Sequence, residues 1–230
     1  MSDVCCPGEA LGLAAARLLP AHVLSAAALI DGAATLQHQA ERELVARAVE
    51  KRRSEFATGR ALAHRLLGQW GAEDAPLLPE LRRAPAWPAG LLGSISHSVG
   101  LCVVAVACKS DCSAIGLDIE GAAPLKPKLW RHILREEERA ELEQYSEAEA
   151  GRRAKLAFSA KECFYKALSP SLNRVLNFED VRLTLHEDGS YAGQLLVEDA
   201  GIVLHEPLQG RWATVGDVVL TTLVLTQALG

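Results

Sequence analysis

Two carboxylates stand one residue apart in Gly116-Leu117-Asp118-Ile119-Glu120. In an extended strand residues i and i+2 share a face, so Asp118 and Glu120 sit side by side, opposite Leu117 and Ile119. Like charges that close repel unless a cation lies between them. Oxygen donors with no His or Cys beside them suit Mg2+, with Mn2+ the other choice. An ordinary strand end in solvent has the same spacing, and the motif alone does not separate the two readings.

About forty residues further on comes Phe158-Ser159-Ala160-Lys161-Glu162-Cys163-Phe164-Tyr165-Lys166-Ala167-Leu168. At about 100° per residue, Lys155, Ser159, Glu162 and Lys166 form one polar stripe, backed by Ala160, Cys163, Phe164 and Ala167. Glu162 and Lys166 are an i,i+4 pair in the favourable order, worth a few tenths of a kcal/mol as a surface ion pair. The chemical reading is a third acidic metal ligand or base, plus a cation for phosphate. A third group is Gly93-Ser94-Ile95-Ser96-His97-Ser98, where a His at a strand end can donate to a phosphate oxygen. No G-x-S-x-G elbow accompanies it, so it is not the base of a serine triad. The fourth group is Arg52, Arg53 and Arg60, with Arg82 and Arg83 before Pro85. Arginine suits bidentate phosphate recognition, and equally a solvated helix face. P-loop and G-x-G-x-x-G signatures are missing, so the usual nucleotide cradles are not in play.

The elements that must position these groups follow from periodicity. Residues 39–70 repeat apolar positions near 3.6, predicting a helix that stops at Gly71. Residues 71–93, with Pro76, Pro79, Pro85 and Pro88, read as loop. Strands are predicted at 94–97, 101–108 and 115–120, with a turn near Gly100. Helices are predicted at 128–134, 136–145 and 151–168, the last closed by Pro170. Two hairpins follow, 181–186 with 190–197 around Asp188-Gly189, and 211–215 with 218–226 around Gly216-Asp217. Residues 1–37 carry no pattern that specifies an element. The fold class is α+β, with two similar-sized halves, 1–112 and 113–230, joined near residues 109–114.

Composition narrows the function. The 230 residues carry a net charge of −5 with 5% aromatics, which argues against nucleic-acid backbone contacts and base-stacking platforms. The longest apolar run, 101–108, is too short to span a bilayer. Six cysteines without metal spacing suit a reducing compartment, so a soluble cytoplasmic protein is expected.

The order and spacing of these motifs resemble the 4′-phosphopantetheinyl transferases of the surfactin type. Residues 51–65 (KRRSEFATGRALAHR) and 84–98 (APAWPAGLLGSISHS) resemble the enterobactin-synthase subgroup, and the likeness runs from about 41 to 180. Two departures are Cys163 for the commoner Ser or Ala and Ser96 for Thr. The resemblance implies two α+β halves about a pseudo-twofold with coenzyme A in the cleft between them. It implies a monomer that moves the phosphopantetheine arm of coenzyme A onto a serine of an apo acyl or peptidyl carrier protein, releasing 3′,5′-ADP. Carried over by motif, Asp118 and Glu120 bind Mg2+, with Glu162 as third ligand or base. Lys166 and Lys161 face the pyrophosphate, and His97 with Ser96 reaches a phosphate near the adenosine end. Arg52 and Arg60 meet the 3′-phosphate region, and Arg82 matches a basic residue before the proline-rich segment. The other readings of the same residues are a Mg2+-dependent nucleotide pyrophosphohydrolase and a non-catalytic coenzyme A-binding module. Because the enzyme is net negative, an acidic carrier needs a local basic patch, for which Lys126, Lys128, Arg131 and Arg135 stand together. Removing Asp118 or Glu120 from a like-charged pair is expected to leave the apoprotein as stable as before.

Overall fold

The computed structural model describes residues 6–79, 84–172, 175–197, 202, 204 and 206–226. Among them the helices are α1 (Pro7–Leu18), α2 (Gln39–Val45), α3 (Glu50–Leu67), α4 (Pro127–Ile133), α5 (Glu136–Leu142) and α6 (Glu147–Leu168). The strands are β1 (Leu24–Leu29), β2 (Leu91–Ser98), β3 (Leu101–Cys108), β4 (Ala114–Gly121), β5 (Val181–Leu185), β6 (Ser190–Leu195), β7 (Leu208–Val215) and β8 (Val218–Leu225). They form a three-stranded sheet in the order β1-β3-β2 and a five-stranded sheet in the order β4-β8-β7-β6-β5, with every pairing antiparallel. The mixed helix-and-sheet class is the one expected.

β3 explains the layering. Its unbroken apolar run is buried on both faces, as such runs are in central strands. Cys102, Val104 and Val106 pack under Leu62, Ala63, Leu66 and Leu67 of α3. Val103, Ala105 and Ala107 face the other way, onto Leu11 and Ala15 of α1 and onto Ile115, Leu117 and Ile119 of β4. α6 covers the far face of the five-stranded sheet, with Ala160, Cys163, Phe164 and Ala167 against Val181, Leu183, Tyr191 and Leu223. Gly116 makes that approach possible, because a Cβ there would collide with the Cys163 carbonyl.

Three regions differ from the sequence expectation. Residues 1–37 contain α1 and β1, and both enter the core. α1 starts on Pro7 with Glu9 in its first turn, a helix-start signature. β1 is the alanine-rich LSAAAL, poor in strand propensity, and forms because β3 supplies an edge to pair with. The helix expected over 39–70 is broken into α2 and α3 by an extended Val49. α6 begins four residues before the expected Gly151, which lies inside it. A Cβ at that glycine would meet Pro124 Cβ at 2.7 Å, so the residue serves close packing and not a helix start.

The two sheets meet edge to edge at β2 and β4. Ser94 Oγ accepts the Leu117 amide at 3.1 Å and Ser96 Oγ accepts the Ile119 amide at 3.2 Å. The matched increments show the strands running in the same direction. The seam is therefore made by side chains of one edge strand capping the free amides of the other.

Candidate active site

β4 alternates as its sequence requires. Leu117 and Ile119 point into the core, and Asp118 and Glu120 point toward α6. The polar stripe of α6 lies over them. Lys166 Nζ donates to Asp118 Oδ1 at 2.6 Å, Ser159 Oγ donates to Asp118 Oδ2 at 2.8 Å, and Lys155 Nζ stands 3.5 Å from Glu120 Oε2. Lys166 thus answers Asp118, and no ion pair to Glu162 forms. Asp118 is buried, and Ser96 Oγ gives it a third hydrogen bond at 2.9 Å.

Glu120 and Glu162 have no such satisfaction. Burial pushes both carboxyls above their usual range. The charge of Asp118 pushes the same way at each, against Lys155 for Glu120 and against Lys166 for Glu162. Asp118, Glu120 and Glu162 bring oxygen donors of one charge together, the donor chemistry a hard divalent cation satisfies. As the side chains stand, no three His, Cys, Asp or Glu among the described residues converge as a metal-binding group. The cationic place at Asp118 Oδ1 is taken by Lys166.

His97 points away from this cluster, toward α3, because neighbouring residues of a strand face opposite sides. Its Nε2 accepts from Arg52 Nη1 at 3.0 Å and its Nδ1 lies 3.8 Å from Glu55. Burial lowers its pKa. Glu55 opposes the shift, and the charges of Arg52 and Lys166 add to it, so the ring is neutral at pH 7. His97, Glu55 and Ser54 line an open cleft of about 650 Å3 together with Ser98 and Val99. Arg60 is buried with its Nε on the Leu77 carbonyl at 3.1 Å and its guanidinium 4.3 Å over the Phe56 ring. Burial lowers its pKa, Glu41 opposes, and Arg52 contributes a like charge. Lys166, His97, Arg52 and Arg60 are therefore a row of nitrogen groups in electrostatic reach of one another, suited to a ligand with several phosphates.

Four expectations change. Lys161 does not face the cluster: its ammonium is fully buried and donates to Ile133 O at 2.9 Å, Glu138 Oε2 at 2.7 Å and Phe178 O at 2.8 Å. Three acceptors exhaust an ammonium, so it ties α6 to α4, α5 and residue 178 instead. Ser96 does not stand beside His97. Its hydroxyl donates to Asp118 and accepts from Lys166 at 2.9 Å and from the Ile119 amide, which fills its capacity. Arg135 is spent on Glu137 at 2.6 Å and on the Glu179 carbonyl, leaving Lys126, Lys128 and Arg131 as the exposed basic patch. The stability expectation changes for Asp118, whose loss would take one acceptor each from Lys166, Ser96 and Ser159. Arg82 and Arg83 lie outside the described residues.

Two contributors had no place among the predicted site residues. Ser159 was on the stripe but not assigned to Asp118. Thr221 lies across from Asp118 in the β4–β8 register, with its Oγ1 3.0 Å from Ser159 Oγ, and fixes that serine. Only a pairing about a hundred residues apart creates this contact, and nothing local announces it.

Comparison with known proteins follows the same lines. Residues 40–107 match the family model described as the 4′-phosphopantetheinyl transferase N-terminal domain, and residues 114–222 match that of the 4′-phosphopantetheinyl transferase superfamily. The chain is 34% identical to 4′-phosphopantetheinyl transferase Svp of Streptomyces mobaraensis, over 94% of this chain and 90% of that protein. It is 34% identical to 4′-phosphopantetheinyl transferase PptT of Mycobacterium tuberculosis, over 80% and 84%. Identity to enterobactin synthase component D of Salmonella typhi is 30%, over 74% and 71%. With two such models matched in succession and relatives aligned over most of their length, the chain belongs to the 4′-phosphopantetheinyl transferase superfamily.

Proposed function

We propose that the β4–α6 cluster and the neighbouring His97 cleft together are the site of phosphopantetheine transfer from coenzyme A to a serine of a carrier protein. Family membership gives the reaction. The single observation that supports this site is Lys166, whose ammonium is held 2.6 Å from Asp118, beside two further carboxyls, Glu120 and Glu162, whose pKa values burial and Asp118 raise. Neither pyrophosphate hydrolysis nor binding without catalysis is favoured by any relative.

In the transfer, the serine oxygen forms a new P–O bond to the phosphate that carries the pantetheine arm. The P–O bond to 3′,5′-ADP breaks, and the hydroxyl proton is taken up. Glu162, whose pKa burial and the charge of Asp118 raise, is suited to accept that proton. Lys166 supplies positive charge to the leaving pyrophosphate oxygen. Ser96 and Ser159 hold Asp118 from both oxygens, and Asp118 in turn fixes Lys166. Asp118, Glu120 and Glu162 are the residues that would hold a divalent cation, Mg2+ by the hardness of the donors, whose contribution is to neutralise pyrophosphate charge. Arg52, Arg60 and neutral His97 form the phosphate-binding side toward the 3′-phosphate of coenzyme A. We assign the exposed Lys126, Lys128 and Arg131 to an acidic carrier protein. The reading as a cytoplasmic monomer takes the five free cysteines among the described residues as suiting a reducing compartment.

The test is mass spectrometry of an apo carrier protein incubated with this chain, coenzyme A and Mg2+. The expected result is a gain of one phosphopantetheine per carrier with release of 3′,5′-ADP. Release of 3′,5′-ADP with the carrier unmodified would overturn it.

A further inference from the structure

Glu41 and His64 are a buried carboxylate and imidazole for which the transfer chemistry has no direct use. Glu41 lies in the first turn of α2 and is 0% exposed, while His64 and Arg60 are buried on α3. One oxygen of Glu41 carries all its contacts. His64 Nε2 donates to Oε1 at 2.9 Å, the Leu77 amide donates to it at 2.9 Å, and Arg60 Nε stands 3.6 Å away. The same Arg60 Nε donates to the Leu77 carbonyl. Leu77 is therefore gripped on both backbone groups, its amide by Glu41 and its carbonyl by Arg60. Glu41 Oε2 and His64 Nδ1 are buried with no hydrogen bond. Glu41, Arg60 and His64 line a cavity of about 280 Å3 with Gln37, Arg65 and Glu73.

As a stabilising device this is poor. A buried carboxylate with an unsatisfied oxygen costs free energy, and apolar side chains of similar volume often serve stability as well or better. An apolar replacement cannot fix the direction of a guanidinium. Arg60 has its Nε held between Glu41 and the Leu77 carbonyl and its plane laid on Phe56, which fixes the direction in which the Nη end of the fork points. Burial by itself would raise the Glu41 pKa, but the hydrogen bonds from His64 and Leu77 and the charges of His64 and Arg60 hold it low. The carboxylate facing Arg60 is thus ionised at neutral pH.

We propose that Glu41, braced by His64, is the positioning residue for Arg60, aiming its guanidinium at the 3′-phosphate of coenzyme A while anchoring Leu77 ahead of the proline-rich segment. The proposal rests on the reading of Arg60 as a phosphate ligand, and a double-mutant cycle separates the two. Affinities for coenzyme A and dephospho-coenzyme A are measured by calorimetry on wild type, Glu41→Gln, Arg60→Ala and the double variant. Glu41→Gln should weaken coenzyme A roughly five- to tenfold, leave dephospho-coenzyme A near wild type, and add nothing in the Arg60→Ala background. Its kcat at saturating coenzyme A and its KM for the carrier should be unchanged. Equal weakening of both ligands, or the same loss in both Arg60 backgrounds, would overturn the positioning role and leave Arg60 as a phosphate ligand. Wild-type coenzyme A affinity in Arg60→Ala would remove the reading of Arg60 itself and the proposal with it. Should Glu41→Gln fail to fold, His64→Gln runs the same cycle. Loss of coenzyme A affinity only where Arg60 is present supports the role, and a loss independent of Arg60 overturns it.

Discussion

Lys161 and Lys166 are five residues apart on one helix and do opposite work. The first has an ammonium sealed from solvent among three acceptors, two of them carbonyls. The second has a part-exposed ammonium on one carboxylate and one serine hydroxyl, at the edge of the acidic cluster of Asp118, Glu120 and Glu162. Burial lowers the pKa of Lys161 against the pull of Glu138. A group that must exchange its partner for a substrate phosphate cannot be so completely engaged. Saturation of hydrogen-bonding capacity, more than residue type or nearness in sequence, separates the scaffold from the chemistry.

The comparison is broken most directly at Lys161. Lys161→Met strands Glu138 as a buried unpaired charge and should cost roughly 3–5 kcal/mol in denaturant unfolding, with transfer per folded molecule close to wild type. A stable Lys161→Met protein that had lost transfer would reverse the assignment. Lys166→Ala should do the converse, lowering kcat by roughly 10²–10³, the scale of losing one preorganised donor, while the circular dichroism spectrum is kept. Arg60→Ala extends the contrast to the phosphate side. It should weaken coenzyme A by about 1.5–3 kcal/mol, the range for a hydrogen bond to a charged group, and dephospho-coenzyme A far less. The exposed patch should respond more weakly. Lys128→Glu with Arg131→Glu should raise the carrier KM a few-fold at low salt, fading as salt rises, with the coenzyme A KM unmoved.

The smallest effect concerns His97. Its folded-state pKa lies below the ordinary 6.5, so the unfolded chain takes up this proton first as pH falls. Its contribution to stability is complete above pH 6.5 and is lost progressively below it. His97→Gln should therefore narrow its stability gap to wild type as pH drops from 7 to 5. A gap that widens on acidification would mean a ring already charged at neutral pH.

Strands β2 to β8 were legible within a few residues because alternation and Gly-centred turns are local signals. α1 and β1 were not, since alanine-rich segments adopt whichever element a neighbour stabilises. In the site, periodicity did better than the carried-over roles. The stripe of Lys155, Ser159, Glu162 and Lys166 converges on Asp118 and Glu120 as spaced, and Lys161 lies roughly 130° around the helix from it. Its place off the stripe was visible, and the resemblance overrode it. Ser96 went the same way, because alternation along β2 already separated it from His97. The Glu41–His64–Arg60 junction had no signal, being assembled from α2, α3 and a loop residue whose meeting only the fold decides.

The serine-capped seam has a readable kinetic fingerprint. The amides of Leu117 and Ile119 lie on the edge of their sheet that faces β2, where their acceptors are the hydroxyls of Ser94 and Ser96. Their exchange with deuterated solvent will follow the parting of β2 from β4, and not the fraying of either sheet. Replacing one serine by alanine unlocks a single amide and leaves the neighbouring one as a control. Two backbone positions can thus report on how often the two sheets separate beside Asp118.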